Sequence, residues 1–221
     1  MLWHKAIGAG GVGGGGPATL TFIGTSDYGA SGTSHTYTSV DIGTATSDRI
    51  VIVVVHATGN TSGTTVTGVT LGGTSMTSAI ATTNSFSTGS IHYLEVASGT
   101  SATIVASYSS LKARGTIAVY TLTDWSSATP SYTDSSTGTS TTRSVNMDIP
   151  TGSVAVYGLT AQASTVTSSY SDATETYDGD VGGAGTTTAS GAYLYDAGTA
   201  HTETVTLSAS QPGMLLGAVW S

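Results

Sequence analysis

The chain has no cysteine. That removes a disulfide framework, a zinc–thiolate centre and a thiol nucleophile at once. Charge is scarce too: charged side chains make up 8% of the 221 residues, with five bases against thirteen acids. Nucleic-acid phosphates demand a Lys/Arg footprint that five bases do not supply, so no nucleic-acid partner is expected. The imbalance is uneven. Up to Trp125 there are five acids and four bases; beyond it there are eight acids and one base, which makes the second half weakly acidic. No apolar run approaches the roughly 20 residues of a membrane helix, so no membrane insertion is expected. Met1-Leu2-Trp3-His4-Lys5-Ala6-Ile7 breaks into glycine before a signal core could form, which points to cytosolic synthesis. A 3.6-residue apolar period is missing as well, so helix should be minimal, limited to a turn near Leu111-Lys112.

What is present is strand. Ile50-Val51-Ile52-Val53-Val54-Val55 is the longest apolar run. β-Branched side chains are stiff at χ1 and pack well on a pleated surface, and apolar residues at both parities require cover on both faces. The run therefore reads as a central strand of a sandwich. Around it lie further strand-like runs separated by Gly/Ser/Thr turns: Thr19–Ile23, His35–Asp41, Val66–Leu71 with its Gly72-Gly73 turn, Ser90–Val96, Ala102–Tyr108 and Gly115–Trp125. The core is thin for this length, which favours stabilisation by oligomerisation.

The second half restates the first. Ser39-Val40-Asp41 followed by Asp48-Arg49-Ile50-Val51-Ile52-Val53 parallels Ser144-Val145-Asn146 followed by Gly152-Ser153-Val154-Ala155-Val156-Tyr157. Ile91–Thr100 parallels Ala192–Thr199, and each half closes on a small-apolar strand ending in Trp125 or Trp220. Matched elements in the same order argue for duplication. About 100 residues and seven or eight strands per half is the size of a Greek-key sandwich or jelly roll. The expected fold is all-β: a β-sandwich, jelly-roll or Ig-like Greek key, in two similar halves, 18–129 and 130–221, with an extended N-terminal arm. Whether the halves make two sandwiches or one interlocked sandwich stays open.

The arm, residues 1–17, places Leu2, Trp3 and Ile7 ahead of an almost continuous glycine tract. It reads either as a tether whose apolar tip docks into a neighbour or as a frayed terminus. Gly8-Ala9-Gly10-Gly11-Val12-Gly13 matches a dinucleotide-binding pattern, but it follows no strand and opens no helix.

Chemistry is hard to find. The histidines His4, His35, His56, His92 and His201 show no metal-ligand spacing, and His56 and His92 fall on strands, where a structural role is expected. There is no nucleophile-elbow motif and no nominable triad. No catalytic residue, no cofactor and no enzymatic activity are expected. Asp178 and Asp180, in the one acidic cluster, read either as a calcium-binding loop or as a solvated loop without metal. Tyr170, Tyr177, Tyr193 and Tyr195 lie among Ser, Thr and Gly, a mixture suited to a glycan or receptor surface or to ordinary sandwich packing.

The succession Asp48–Val55, Val66–Met76, Ser98–Val105 and Ile117–Thr123 resembles accessory virion proteins of tailed bacteriophages, namely head-decoration, head-fibre and tail-fibre β-sandwich proteins. The arm Leu2–Ile7 with its glycines looks like the N-terminal anchors of such proteins. The resemblance implies a structural role on capsid or tail, with Leu2, Trp3 and Ile7 anchoring to the particle. It also implies other virion proteins as partners and a homo-oligomer, a trimer among the expected states. Assembly would occur in the host cytoplasm, with release by lysis and a contribution to host-surface adsorption through a glycan. The alternative is a carbohydrate-binding module or adhesin outside any virion.

Overall fold

A computed structural model describes residues 17–162, 166–183 and 187–221. The anchoring residues Leu2, Trp3 and Ile7 lie outside the described residues. The first half forms nine strands: β1 (Thr19–Tyr28), β2 (Gly32–Asp41), β3 (Ile50–Thr58), β4 (Val66–Leu71), β5 (Thr74–Ser75), β6 (Thr77–Asn84), β7 (Ser87–Glu95), β8 (Ser101–Lys112) and β9 (Arg114–Thr123). The second half supplies β10 (Tyr132–Ile149), β11 (Val154–Ala161), β12 (Ser168–Tyr170), β13 (Thr174–Asp180), β14 (Thr188–Tyr195) and β15 (Gly198–Trp220), with one 3₁₀ turn at Val181–Gly183. All ladders among the described residues are antiparallel. No helix among them is long and apolar enough to cross a membrane.

The first half builds two sheets, ordered β1-β9-β3-β7-β6 and β2-β8-β4-β5. This alternation, with sequence neighbours in opposite sheets except for the β4–β5 and β6–β7 hairpins, is the jelly-roll order of two interlocked Greek keys. The crossing between sheets at β5 and β6 happens within a few residues, just after the turn at Gly72 and Gly73. Both glycines sit at positive φ, 58° and 84°, as a tight hairpin turn of this kind requires.

The second half repeats the order with fewer breaks. Its sheet runs β10-β15-β11-β14-β13, with β12 on β15. Strand β10 does the work of β1 and β2 in one piece, and β15 that of β8 and β9. The β10–β15 register slips between Ser140 and Thr142, where both strands turn from one layer to the other. The sheet thus folds over itself and encloses Val145, Met147, Ile149, Tyr157, Leu159, Val205 and Leu207. Two stacked jelly rolls, rather than one interlocked sandwich, are the result.

Strand β3 bears out its central assignment. It is hydrogen-bonded to β9 on one side and β7 on the other, and every residue in it is buried. Val51, Val53 and Val55 face the first half's own core; Ile50, Ile52 and Val54 face the second half. Against them pack Val154, Val156, Leu216, Ala218 and Trp220, with Trp220 edge-on to Tyr93 at 5.9 Å. Each fully buried side chain of this size contributes about 1.5–3 kcal/mol. Equivalent strands of the two repeats meet, β3 of the first half against β11 of the second. The halves approach closely at Gly158, where an added Cβ would lie 2.6 Å from Val54 Cγ1.

Three cations are inside. Arg49 donates from Nε to Val96 O, from Nη1 to Ile42 O and Gly43 O, and from Nη2 to Ser98 O and Gly99 O. Lys112 Nζ reaches Phe86 O at 2.8 Å, and Arg143 donates to the carbonyls of Gly138 and Gln211. Strands that leave one sheet for another leave carbonyls without ladder partners, and these side chains supply the donors. The helical turn expected near Leu111-Lys112 is instead the end of β8, because Lys112 is drawn inward to cap this corner.

Candidate functional site

The four tyrosines do not form one outward surface. Tyr177, Tyr193 and Tyr195 pack against the core between the two jelly rolls, whereas Tyr170 packs against the second half's own core. Tyr177 stacks on Phe22, ring centroids 5.8 Å apart, and its hydroxyl lies 2.6 Å from His56 Nε2. Tyr195 accepts the Leu20 N–H at 2.7 Å, and the Tyr170 hydroxyl pairs with Ser190 Oγ at 3.2 Å. Strand β14 is covered on both faces: Tyr193 and Tyr195 on one parity pack against the core between the halves, while Ala192 and Leu194 on the other pack against the second half's own core.

Asp178 and Asp180 stand on strand β13, not on a loop. Asp178 Oδ2 accepts the Ser168 N–H at 3.1 Å, and burial raises its pKa above the usual carboxylate range. The pair lines a cleft of about 300 Å³ between the edges of β1 and β13, together with Thr25, Asp27, Thr116 and Tyr177. Asp27 Oδ1 accepts the Thr116 hydroxyl at 2.6 Å, and Thr116 Oγ1 accepts the Gly182 N–H at 2.9 Å. Thr116 therefore links the two halves at the cleft floor.

His56 and His92 are structural, as their strand positions imply. His56 is fully buried between Thr160 Oγ1, 2.8 Å from Nδ1, and Tyr177, and burial pushes its pKa down to about 3. Burial likewise pushes His92 down to about 4 and lowers His35, which stacks on Tyr28 at 4.4 Å. The hydroxyls touching these rings, from Thr160, Tyr177 and Tyr108, are all engaged within the packing.

A further group joins residues distant in sequence. Asp172, His201 and Glu203 each place one potential ligand atom within 4.8 Å of the others. His201 Nε2 is 3.4 Å from Glu203 Oε2 and 3.9 Å from Asp172 Oδ2. Glu203 is fully buried, and its Oε1 accepts the N–H of Ser171 at 2.7 Å while Oε2 accepts that of Ala173 at 3.1 Å. The group joins the β12–β13 loop to β15, some thirty residues away in sequence, which is why spacing alone missed it.

No protein-family model matches the chain, and no curated protein matches it by sequence. Among solved structures, an anti-sigma factor domain-containing protein from Clostridium clariflavum aligns at 8% identity, covering 83% of this chain and 78% of that one, with a TM-score of 0.25. The turret protein A223 of Sulfolobus turreted icosahedral virus aligns at 13% identity over 91% and 98% of the two chains, TM-score 0.24. The PBSX exported protein XepA aligns at 10% identity over 91% and 86%, TM-score 0.23. At these TM-scores none of them assigns a function to this chain.

Proposed function

We propose that this chain is an external structural module of a phage particle, a double jelly roll attached to capsid or tail through residues 1–17. The polarity of the body is the observation that carries the proposal. The first described residues, the connection between the halves and the last residue meet at one end: Ala18 N–H donates to Gly152 O at 2.9 Å, and the Ser126 and Ser127 N–H groups donate to Ser221 O. The arm therefore enters at that end. Phe86 and Leu111, two of the three large exposed side chains with apolar surface, lie at the opposite one, and the third, Tyr132, pairs with Val219 near the arm's end. A module held at one end presents such a tip outward, where it serves adsorption. With Arg49, Lys112 and Arg143 turned inward, the acids dominate the surface, which fits a protein partner or a neutral glycan better than a polyanion.

The test is deletion of residues 1–16. The truncated protein should stay soluble, keep its β spectrum and disappear from purified particles, as read by immunogold labelling. Normal incorporation of the truncated protein would refute the proposal.

A carbohydrate-binding module is the second reading, favoured by the cleft that brings Tyr177 beside Asp27, Asp178 and Asp180. An aromatic edge with convergent carboxylates is a sugar-binding combination. Saturable binding on a glycan array, weakened by Asp27→Asn, would support it; a blank array with folded protein would count against it.

A further inference from the structure

We propose that Asp172, His201 and Glu203 form a zinc site on the outer layer of the second jelly roll, with the Tyr157 hydroxyl serving its fourth ligand. Four observations lead there.

The first is geometric. A tetrahedral Zn²⁺ with bonds of about 2.0–2.1 Å spans ligand-to-ligand edges of about 3.4 Å. The separation of His201 Nε2 from Glu203 Oε2 is 3.4 Å. Asp172 Oδ2, at 3.9 Å from the imidazole nitrogen, belongs to a mostly exposed side chain on a loop and needs only a small rotation to close the triangle.

The second is that the fold does not ask for Glu203. The β2–β8 ladder sets Val40 opposite Ala102, and the β10–β15 ladder sets Val145 opposite Glu203. Val40 and Val145 are matching residues of the two repeats. Where one repeat has alanine, the other buries a carboxylate.

Third, that carboxylate is preorganised. The N–H groups of Ser171, Asp172 and Ala173 hold it and neutralise part of its desolvation cost. Such outer-shell donors fix a ligating carboxylate in place. Oε2 accepts a single backbone N–H and keeps a lone pair directed to His201.

Fourth, Tyr157 is fully buried and its hydroxyl has no hydrogen-bond partner. After burial, the groups that act most on it are Glu203 and then Asp172. Burying a phenol without a partner is unfavourable. A water or incoming carboxylate on the metal would accept a hydrogen bond from it and remove that cost. The mixed imidazole and carboxylate set suits Zn²⁺ rather than Ca²⁺, which takes six to eight oxygens.

Calorimetric titration of the full-length protein with ZnCl₂ at neutral pH tests this. One ion should bind per chain. His201→Ala and Asp172→Asn should each weaken binding about tenfold or more, and Asp172→Asn, at a mostly exposed side chain, should leave the metal-free unfolding midpoint unchanged. Tyr157→Phe, which keeps all three ligands, should weaken it severalfold. CaCl₂ should bind at least about tenfold more weakly than ZnCl₂. No zinc uptake at about 1 mM, unchanged uptake in both ligand variants, or calcium binding as tight as zinc would each overturn the assignment.

Discussion

Acid should unfold this protein over a defined range, and His56 should account for much of it. A histidine in the unfolded chain titrates near 6.5. In the folded protein burial holds His56 at about 3 and His92 at about 4. Between those values the unfolded state binds protons that the folded state refuses, so stability rises with pH there and falls as acid is added. Above pH 6.5 neither ring matters. At pH 4 each costs about 3 kcal/mol, or about 6 kcal/mol together, a large share of the 5–15 kcal/mol that stabilises a typical domain. Lowering of His35 acts in the same direction. Glu175 and Asp178 act the other way, because burial raises both, but they are partly exposed and solvent reduces their effect. Urea unfolding at pH 7, 6, 5 and 4.5 measures the outcome. The two rings predict a slope of about 2.7 kcal/mol per pH unit near pH 5. His56→Gln keeps a polar group between Thr160 and Tyr177 without a titration, and should cut that slope by about half. A flat pH profile, or a slope untouched by His56→Gln, would refute the reasoning.

Two further outcomes follow from the packing. Gly158→Ala should destabilise by about 1–3 kcal/mol, because its Cβ meets Val54 across the junction; Val54→Ala in the same chain should recover part of the loss in thermal unfolding. Arg49→Met leaves five carbonyls without donors and should cost about 3–5 kcal/mol by urea unfolding, whereas loss of an exposed cation would cost almost nothing.

Much of the architecture was legible because it is written in local pattern. Six β-branched residues at both parities could only be a doubly covered strand, and the Val40/Val145 and Trp125/Trp220 correspondences exposed the repeat. The layering was not legible. Stacking the repeats through equivalent faces depends on Gly158 facing Val54, a relation between residues a hundred positions apart. The tyrosines were ambiguous for a related reason. Tyr177 has the same sequence neighbours whether it faces solvent or plugs the junction, and only its distance to His56 decides. Glu203 was hidden most completely, since an acid in an alternating Thr/Val strand reads as surface until the Ser171–Ala173 loop is seen closing over it.

The shared core between the repeats also has a thermodynamic consequence. Two separate jelly rolls with these inner faces would meet only as fast and as often as their dilution allowed. Joined by the short connection after Thr123, each faces its partner at an effective concentration in the millimolar range, independent of how much protein is present. A pairing that would dissolve on dilution becomes a permanent property of one chain.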